Sequence, residues 1–132
     1  MLIDTNTEAN RMDKSDNTRK LLQPGTIDEI IKFRDDRNWK QFHNPKDLAI
    51  SISLEASELL EAFQWSGTDV SSTSKEAKIR EELADVFIYC TLMASSCDLD
   101  IDEIIQEKLR INGTKYPVDK SFGKSAKYTE YD

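Results

Sequence analysis

Two pairs of acidic residues are the part of this 132-residue chain whose types and spacing can do chemistry. The first pair is Glu55 and Glu58 in EASELLEAFQW, and the second is Glu82 and Asp85 in REELADVFIYC. Residues three apart share one face of a helix. If the two helices pack antiparallel, both pairs converge on one point. Four carboxylates suit a hard cation such as Mg²⁺, or Mn²⁺ in its place.

Helical periodicity predicts that the first pair faces inward. The apolar stripe of its helix is formed by Leu48, Ile52, Leu59 and Phe63. Glu55 falls within this apolar arc and Glu58 at its edge, whereas Glu61 points to solvent. Burying an unpaired carboxylate costs several kcal/mol, so a compensating positive charge is expected.

The second pair lies on a polar stripe between two apolar borders. Glu82, Asp85 and Tyr89 follow one another along this stripe, and Glu81 points to the surface. Among the nearby basic residues, only Lys78 lies close to the stripe. A solvated acidic face is the plain alternative, since such glutamate spacing is common on helices. Two pairs on consecutive helices, both bordered by apolar residues, favour a divalent-metal site.

The elements that must position these acids are four predicted helices, and no alternating strand pattern is present. They start at the capping box Thr26–Glu29, at Asn44-Pro45, at the capping box Thr73–Glu76 and at Asp100. Their predicted ends lie near Gln41, Trp65, Cys97 and Asn112-Gly113. The chain is therefore predicted to be all-α, a four-helix bundle.

Three parts of the chain differ in composition. Residues 1–24 are predicted to form a flexible polar arm, 25–117 the helical domain, and 118–132 a polar tail. Because the tail carries Phe122, Tyr128 and Tyr131, we expect it to pack on something, such as a neighbouring subunit. A bundle this small also buries its apolar borders better as an obligate oligomer, either a homodimer or a homotetramer.

Charge and hydropathy exclude some classes of function. A net charge of −7 argues against binding a nucleic acid polymer or an anionic membrane. No apolar run approaches the roughly 18 residues of a transmembrane helix, and the N-terminus lacks the pattern of a signal peptide. Cys90 and Cys97 are seven apart on one predicted helix and cannot bridge each other, so we expect buried free thiols and a cytoplasmic location.

Three stretches of the chain resemble the MazG-like, all-α nucleoside triphosphate pyrophosphohydrolases, in particular the dCTP pyrophosphatase branch. They are RNWKQFHNPKDLAISISLEASELLEAFQW, REELADVFIYC and KLRINGTKYP. The resemblance runs from about Thr26 to Pro117, with a fainter likeness in KYTE. One departure is that Ala56 and Ser57 stand where the family often has glycine, which leaves the base preference open.

The resemblance implies Mg²⁺-dependent hydrolysis of a nucleoside triphosphate to the monophosphate and pyrophosphate. The expected substrate is dCTP or a modified pyrimidine dNTP, so that the enzyme cleans the nucleotide pool. Glu55, Glu58, Glu82 and Asp85 are then the catalytic and metal-binding residues, with Glu55 our choice of general base. The alternatives are a dUTP or broad-specificity pyrophosphatase, and a non-catalytic helical protein that binds nucleotides or uses its acidic stripes as an oligomer interface.

The resemblance also implies a set of substrate-binding residues. They are Trp39, His43, Trp65, Tyr89, Lys108, Asn112, Lys115 and Tyr116. The two tryptophans would line the base pocket, His43 would lie near the base or sugar, and Tyr89 would meet the sugar or a phosphate. Lys108, Asn112 and Lys115 would reach triphosphate oxygens or the carboxylates, with Tyr116 beside them. Other interpretations stay open from the residues alone: core tryptophans, a packing or capping histidine, a tyrosine at a bundle interface, and a helix C-terminus with favourable charges.

Overall fold

The computed structural model describes residues 22–131, which form only helices and their connections. The helices are α1 (Pro24–Asp36), α2 (Pro45–Glu61), α3 (Glu76–Ser96), α4 (Ile101–Lys115) and the short α5 (Val118–Ser121), with 3-10 turns at Trp39–Phe42 and Tyr128–Glu130. The predicted all-α class is confirmed, and each of the four predicted helices has its counterpart. The prediction of an N-terminal arm falls almost wholly on residues outside those described.

The chain divides into two compact units, the first ending at Phe42 and the second beginning at His43. The first contains α1 and the 3-10 turn that contacts it. The second contains the remaining helices and both predicted pairs of acids. It therefore holds the elements on which the candidate metal site depends.

Helices α2 and α3 pack against each other as an antiparallel pair. Ser96, at the end of α3, donates a hydrogen bond of 3.2 Å to the backbone oxygen of His43, just before α2. At the other end of the pair, carboxylates of both helices meet. Leu48 of α2, and Leu92 and Ala94 of α3, are the buried apolar residues of the part of the chain that the structure describes. This packing is the arrangement that the two acidic pairs require.

Two of the predicted helix starts have the expected side-chain cap. The side chain of Asn44 accepts a hydrogen bond of 3.0 Å from the backbone N–H of Asp47, and Pro45 occupies the first position of α2. Asp100 likewise accepts from the backbone N–H of Glu103 at 3.1 Å. Both caps satisfy backbone donors that the first helical turn leaves without partners.

The two predicted capping boxes do not start helices. Helix α1 begins at Pro24, before Thr26, because proline needs no donor at the first helical position. Helix α3 begins at Glu76, and Lys75 caps it without a side-chain hydrogen bond. The Lys75 ammonium group instead binds Asp69 at 2.7 Å, within the loop before the helix.

The predicted helix ends differ by a few residues. Asn38 and Trp65 have φ values of 55° and 64°, and these left-handed conformations follow the ends of α1 and α2. Trp39 accordingly lies in a 3-10 turn and Trp65 in a loop. Helix α4 continues through Gly113 to Lys115, after which the backbone N–H of Tyr116 bonds to the oxygen of Asn112.

Many large apolar side chains of the second unit stay exposed. On α2 they are Ile50, Leu54 and Leu60, and on α4 they are Ile104, Ile105, Leu109 and Ile111. Cys97 is also exposed, contrary to the expected buried thiol, because it follows the last turn of α3. None of the helices within residues 22–131 has the length and apolar character of a membrane span.

Candidate active site

Three of the four predicted acids converge between α2 and α3. One carboxylate oxygen each from Glu55, Glu82 and Asp85 lies within 4.8 Å of the others. Helix α3 supplies two of them because residues 82 and 85 share a face, and α2 supplies the third from the facing side. This is the one group of His, Cys, Asp or Glu side chains within residues 22–131 that could hold a metal ion.

Glu82 is the most enclosed acid of the cluster. Its side chain is 3% exposed, and its Oε1 forms an ion pair with the ammonium group of Lys78 one helical turn earlier. Its Oε2 is buried without a hydrogen-bond partner in the part of the chain that the structure describes. Leaving a buried oxygen unpaired costs about 1–3 kcal/mol, so this atom is suited to bind a cation.

The electrostatic environment of the cluster separates its carboxyl groups. The hydrogen bond from Lys78 lowers the pKa of Glu82, against the opposing effect of burial. Burial, followed by the negative charges of Asp85 and Glu82, raises the pKa of Glu55. An acid of raised pKa on α2, Glu55, therefore faces the lysine-paired Glu82 of α3.

Glu58 joins the cluster from the rim. Its side chain is exposed, as predicted, yet its pKa is raised. The first cause is that its protonated form donates a hydrogen bond to Glu82, and the second is the negative charge of Glu82. Glu61 and Glu81 are exposed as expected. The four predicted acids therefore form one electrostatically connected group.

The acids that the structure brings together fit a hard divalent cation. All candidate ligand atoms are carboxylate oxygens, and Glu82 also has a buried oxygen, Oε2, without a hydrogen-bond partner among residues 22–131. Mg²⁺ and Mn²⁺ prefer such ligands. Lys78 was expected near the acidic stripe but was not assigned to the site. Its position four residues before Glu82 was the signal that could have placed it there.

An open groove of about 520 Å³ adjoins Glu58 at the end of α2. Its lining residues are Leu54, Ser57, Glu58, Leu60, Glu61, Phe63 and Gln64. The groove is lined by apolar side chains together with Glu58, one of the acids of the cluster. A groove of this character can take a flat, partly apolar group beside a charged one.

The remaining candidates of the second unit have separate environments. Trp65 is 93% exposed in the loop after α2. Tyr89 is half-buried on α3, and His43 is half-buried with its Nδ1 atom lacking a hydrogen-bond partner within the described residues. Neither Trp65 nor Trp39 is buried, so the interpretation of both as core tryptophans does not apply.

Trp39 belongs to the first unit and packs on residues of that unit. Its ring meets the edge of the Phe33 ring, with centroids 5.9 Å apart and an angle of 74°. The guanidinium carbon of Arg37 lies 3.6 Å from the centroid of the Phe33 ring. Trp39 is still 44% exposed. Its free surface is therefore available to a ligand or to another chain.

The candidates at the end of α4 lie close together along one helix. Lys108 and Lys115 are exposed, and Asn112 is half-buried. The Lys115 ammonium group lies 5.1 Å from the centroid of the Tyr128 ring. Tyr116 packs edge-on against Tyr128 and Tyr131. The expected packing of the tail aromatics thus includes contacts within the chain for these two tyrosines, whereas Phe122 is exposed.

Both the sequence and the fold of this chain are similar to those of known proteins. A model described as the MazG-like family matches residues 50–131. Over 114 residues the chain is 36% identical to dCTP pyrophosphatase 1 of Mus musculus, covering 80% of this chain and 67% of that protein. The human protein of the same name is equally similar. A crystal structure of a pyrophosphatase from Archaeoglobus fulgidus is 38% identical, with a TM-score of 0.65 over 69% of this chain and 88% of that one.

These similarities define the class of protein. The prediction of an all-α nucleoside triphosphate pyrophosphohydrolase is confirmed by the names and the extent of the relatives. The chain belongs to the MazG-like family.

Proposed function

We propose that this protein hydrolyses a pyrimidine deoxynucleoside triphosphate, dCTP or a modified relative of it, to the monophosphate and pyrophosphate, with Mg²⁺ as cofactor. The observation that carries the proposal is the convergence of Glu55, Glu82 and Asp85, with a buried oxygen of Glu82 that has no hydrogen-bond partner within residues 22–131. The choice of dCTP rests on the similarity to proteins named dCTP pyrophosphatase 1.

The four acids would hold the metal, and Mn²⁺ would substitute for it. When bound, the cation neutralises charge on the triphosphate and polarises its oxygens. Lys78 keeps Glu82 ionised, so that this carboxylate is ready to bind a cation at neutral pH. Glu58 lies at the exposed rim, where a substrate entering from solvent meets it.

Glu55 is the proposed general base. The oxygen of a water molecule bonds to phosphorus as the bond between the α- and β-phosphates breaks, and pyrophosphate leaves. The proton of the attacking water passes to a Glu55 carboxylate oxygen. In the metal-free protein, burial and the charges of Asp85 and Glu82 raise the pKa of Glu55, and the part due to burial would make it a stronger base than an ordinary glutamate.

The substrate-binding residues are proposed by resemblance and have distinct chemical roles. Trp39 and Trp65 offer exposed aromatic side chains for stacking on a base, and His43 and Tyr89 offer hydrogen-bonding groups to the base, sugar or phosphates. Lys108, Asn112, Lys115 and Tyr116 would meet the triphosphate from the end of α4. Removal of unwanted pyrimidine nucleotides in the cytoplasm is the proposed biological use.

A second copy of the chain is the proposed partner, in a homodimer or homotetramer. Helix α2 carries apolar residues on opposite faces: Leu48 packs on α3, whereas Ile50 and Leu54 are exposed on the other side. Covering a face of this kind is favourable, because apolar surface is removed from water. The groove beside Glu58 is continuous with this face through Leu54.

Product analysis tests the function. The protein is incubated with Mg²⁺ and each common dNTP and NTP, and the products are separated by ion-exchange chromatography. We expect monophosphate and pyrophosphate from dCTP, and loss of at least 100-fold in kcat on Glu55→Gln, as for removal of a general base. Glu81→Gln is the control, because Glu81 is an exposed acid on α3.

The same assay decides among the alternatives. Preference for dUTP, or equal use of many triphosphates, would replace dCTP as the substrate but keep the reaction. Turnover that persists in EDTA would contradict the metal requirement. Nucleotide binding without turnover of any triphosphate would establish a non-catalytic binding protein.

A further inference from the structure

The described part of the C-terminal tail, residues 118–131, contains three aromatic side chains to which the proposed reaction gives no role: Phe122, Tyr128 and Tyr131. The match to the family model extends through residue 131, so the tail is part of the family's domain. The ring of Tyr116 meets Tyr128 at 5.7 Å between centroids and Tyr131 at 6.1 Å, both edge-on. Edge-to-face pairs of this kind are stabilising. They fold the tail back onto the end of α4.

Two hydrogen bonds define the shape of this fold-back. The hydroxyl group of Tyr131 donates to Ser121 Oγ at 3.0 Å, which ties the end of the tail to its beginning. The backbone N–H of Lys127 donates to the carboxylate of Glu130 at 2.9 Å, within the 3-10 turn that carries Tyr128. The ring of Tyr128 is thereby held in a defined place beside α4.

That ring faces the ammonium group of Lys115. The distance from Lys115 Nζ to the ring centroid is 5.1 Å, within the range of a cation–π contact. Lys115 is the last residue of α4, and its side chain is exposed. A long exposed lysine loses much conformational freedom when a ligand fixes it. A contact that restricts the side chain beforehand reduces that loss.

We infer that Tyr128 is a positioning residue for Lys115, holding its ammonium group where the phosphates of the substrate bind. The inference rests on the role of Lys115 in the proposed function. Tyr128 acts through the face of its ring, so its hydroxyl group is dispensable. Tyr116 and Tyr131 act one step further away, by holding Tyr128.

Steady-state kinetics with Mg²⁺ and dCTP provide the first test. Tyr128→Leu removes the ring, and we expect KM to rise about two- to fivefold with little change in kcat, as for loss of an exposed cation–π contact. Tyr128→Phe keeps the ring and should retain the wild-type KM. Phe122→Leu is the matched control, because Phe122 is an aromatic residue of the same tail that is 86% exposed.

A double-mutant cycle separates positioning from a general effect on folding. In a Lys115→Met background, Tyr128→Leu should cause no further rise in KM, because the side chain that it positions is gone. An equal rise in both backgrounds would overturn the inference, since the tail would then act independently of Lys115.

A spectroscopic readout tests the contact without relying on activity. The ring of Tyr128 should shift the NMR signals of the Lys115 ε-methylene protons, and the shift should persist in Tyr128→Phe and vanish in Tyr128→Leu. An active wild-type protein without this shift would overturn the inference and leave the proposed function standing. A wild-type protein that shows the shift but hydrolyses and binds no triphosphate would overturn both the proposed function and the role of Tyr128 in substrate binding.

Discussion

At the scale of single residues, the two oxygens of Glu82 have unlike surroundings. Oε1 pairs with Lys78, and Oε2 is buried without a hydrogen-bond partner in the described part of the chain. Lysine therefore offsets part of the cost of burying the carboxylate, while the second oxygen stays unpaired. A bound cation would satisfy it. Metal binding and stability are thus linked through one side chain.

Removing the charge of Glu82 should uncouple stability from the metal. We expect Mg²⁺ to raise the melting temperature of the wild-type protein, by a stabilisation of about 2.7 kcal/mol at 100 times the Kd. In Glu82→Gln this increase should be lost. Glu81→Gln should keep it, because Glu81 is exposed on the same helix. Calorimetry with Mg²⁺ or EDTA measures both, and an unchanged increase in Glu82→Gln would exclude this acid from the metal site.

Metal affinity should depend on pH above the usual range of carboxyl groups. Burial and the charges of Asp85 and Glu82 raise the pKa of Glu55, and the hydrogen bond to Glu82 and the charge of Glu82 raise the pKa of Glu58. Both take up protons at higher pH than an ordinary glutamate as the pH falls, and a protonated carboxyl is a poor ligand. We therefore expect Mg²⁺ binding, followed by titration calorimetry, to weaken as the pH falls from neutral towards the ordinary carboxyl range, and to do so at higher pH than for an ordinary glutamate site.

The stability of the metal-free protein should change in the opposite direction, so that its free energy of unfolding rises as the pH falls. The repulsion that raises the two pKa values destabilises the folded state at neutral pH, and protonation relieves it as the pH falls through those values. The lowered pKa of Glu82 works against this gain only at lower pH, below its ordinary value. A Mg²⁺ affinity that stays constant over the same interval would contradict the assigned environment of Glu55 and Glu58.

At the scale of elements, the start of α2 determines where its acids point. The Asn44 cap fixes the first turn, and Glu55 follows three turns later on the face that meets α3. Asn44→Ala should lower the free energy of unfolding by about 1 kcal/mol, as for other N-caps. Urea denaturation monitored by circular dichroism measures this change.

Thr73→Ala is the matched control for the cap. Thr73 has the residue type and spacing of an N-cap, but α3 begins at Glu76. The substitution should change the free energy of unfolding by less than about 0.5 kcal/mol, as at other exposed sites. A loss near that of Asn44→Ala would show that α3 extends to Thr73 in solution.

At the scale of the whole molecule, the second unit exposes several large apolar side chains that a second copy of the chain could cover. Leu54 on the outer face of α2 and Leu60 at its end are both exposed, and Leu60 is 71% accessible. We expect the wild-type protein to sediment as a dimer or tetramer at micromolar concentration, and Leu54→Asp to shift it towards the monomer. Analytical ultracentrifugation measures the distribution.

A loop substitution controls for the added charge. Val70 is an exposed apolar residue of the loop between α2 and α3, so Val70→Asp should leave the sedimentation coefficient unchanged. A monomeric wild-type protein at tens of micromolar would refute the proposed assembly. Equal dissociation by both substitutions would instead point to an effect of net charge.

The sequence by itself determined the all-α class, two helix starts and the partition of the acids into inward and outward ones. Asn44 and Asp100 were predictable as caps because the interaction is local to one turn. The inward face of α2 was predictable because helical periodicity relates each residue to its neighbours. The outward positions of Glu61 and Glu81 follow from the same rule.

Only the tertiary structure decided which acid is buried and what it meets. Periodicity singled out Glu55 as the inward acid, yet Glu82 is the more enclosed, because burial depends on the helix packed opposite. The loop pair Lys75–Asp69 displaced the predicted capping box at Thr73, and the contact of Lys115 with Tyr128 joins residues 13 apart across a turn of the tail. Such contacts depend on where the chain reverses direction, which local patterns of residue type do not specify.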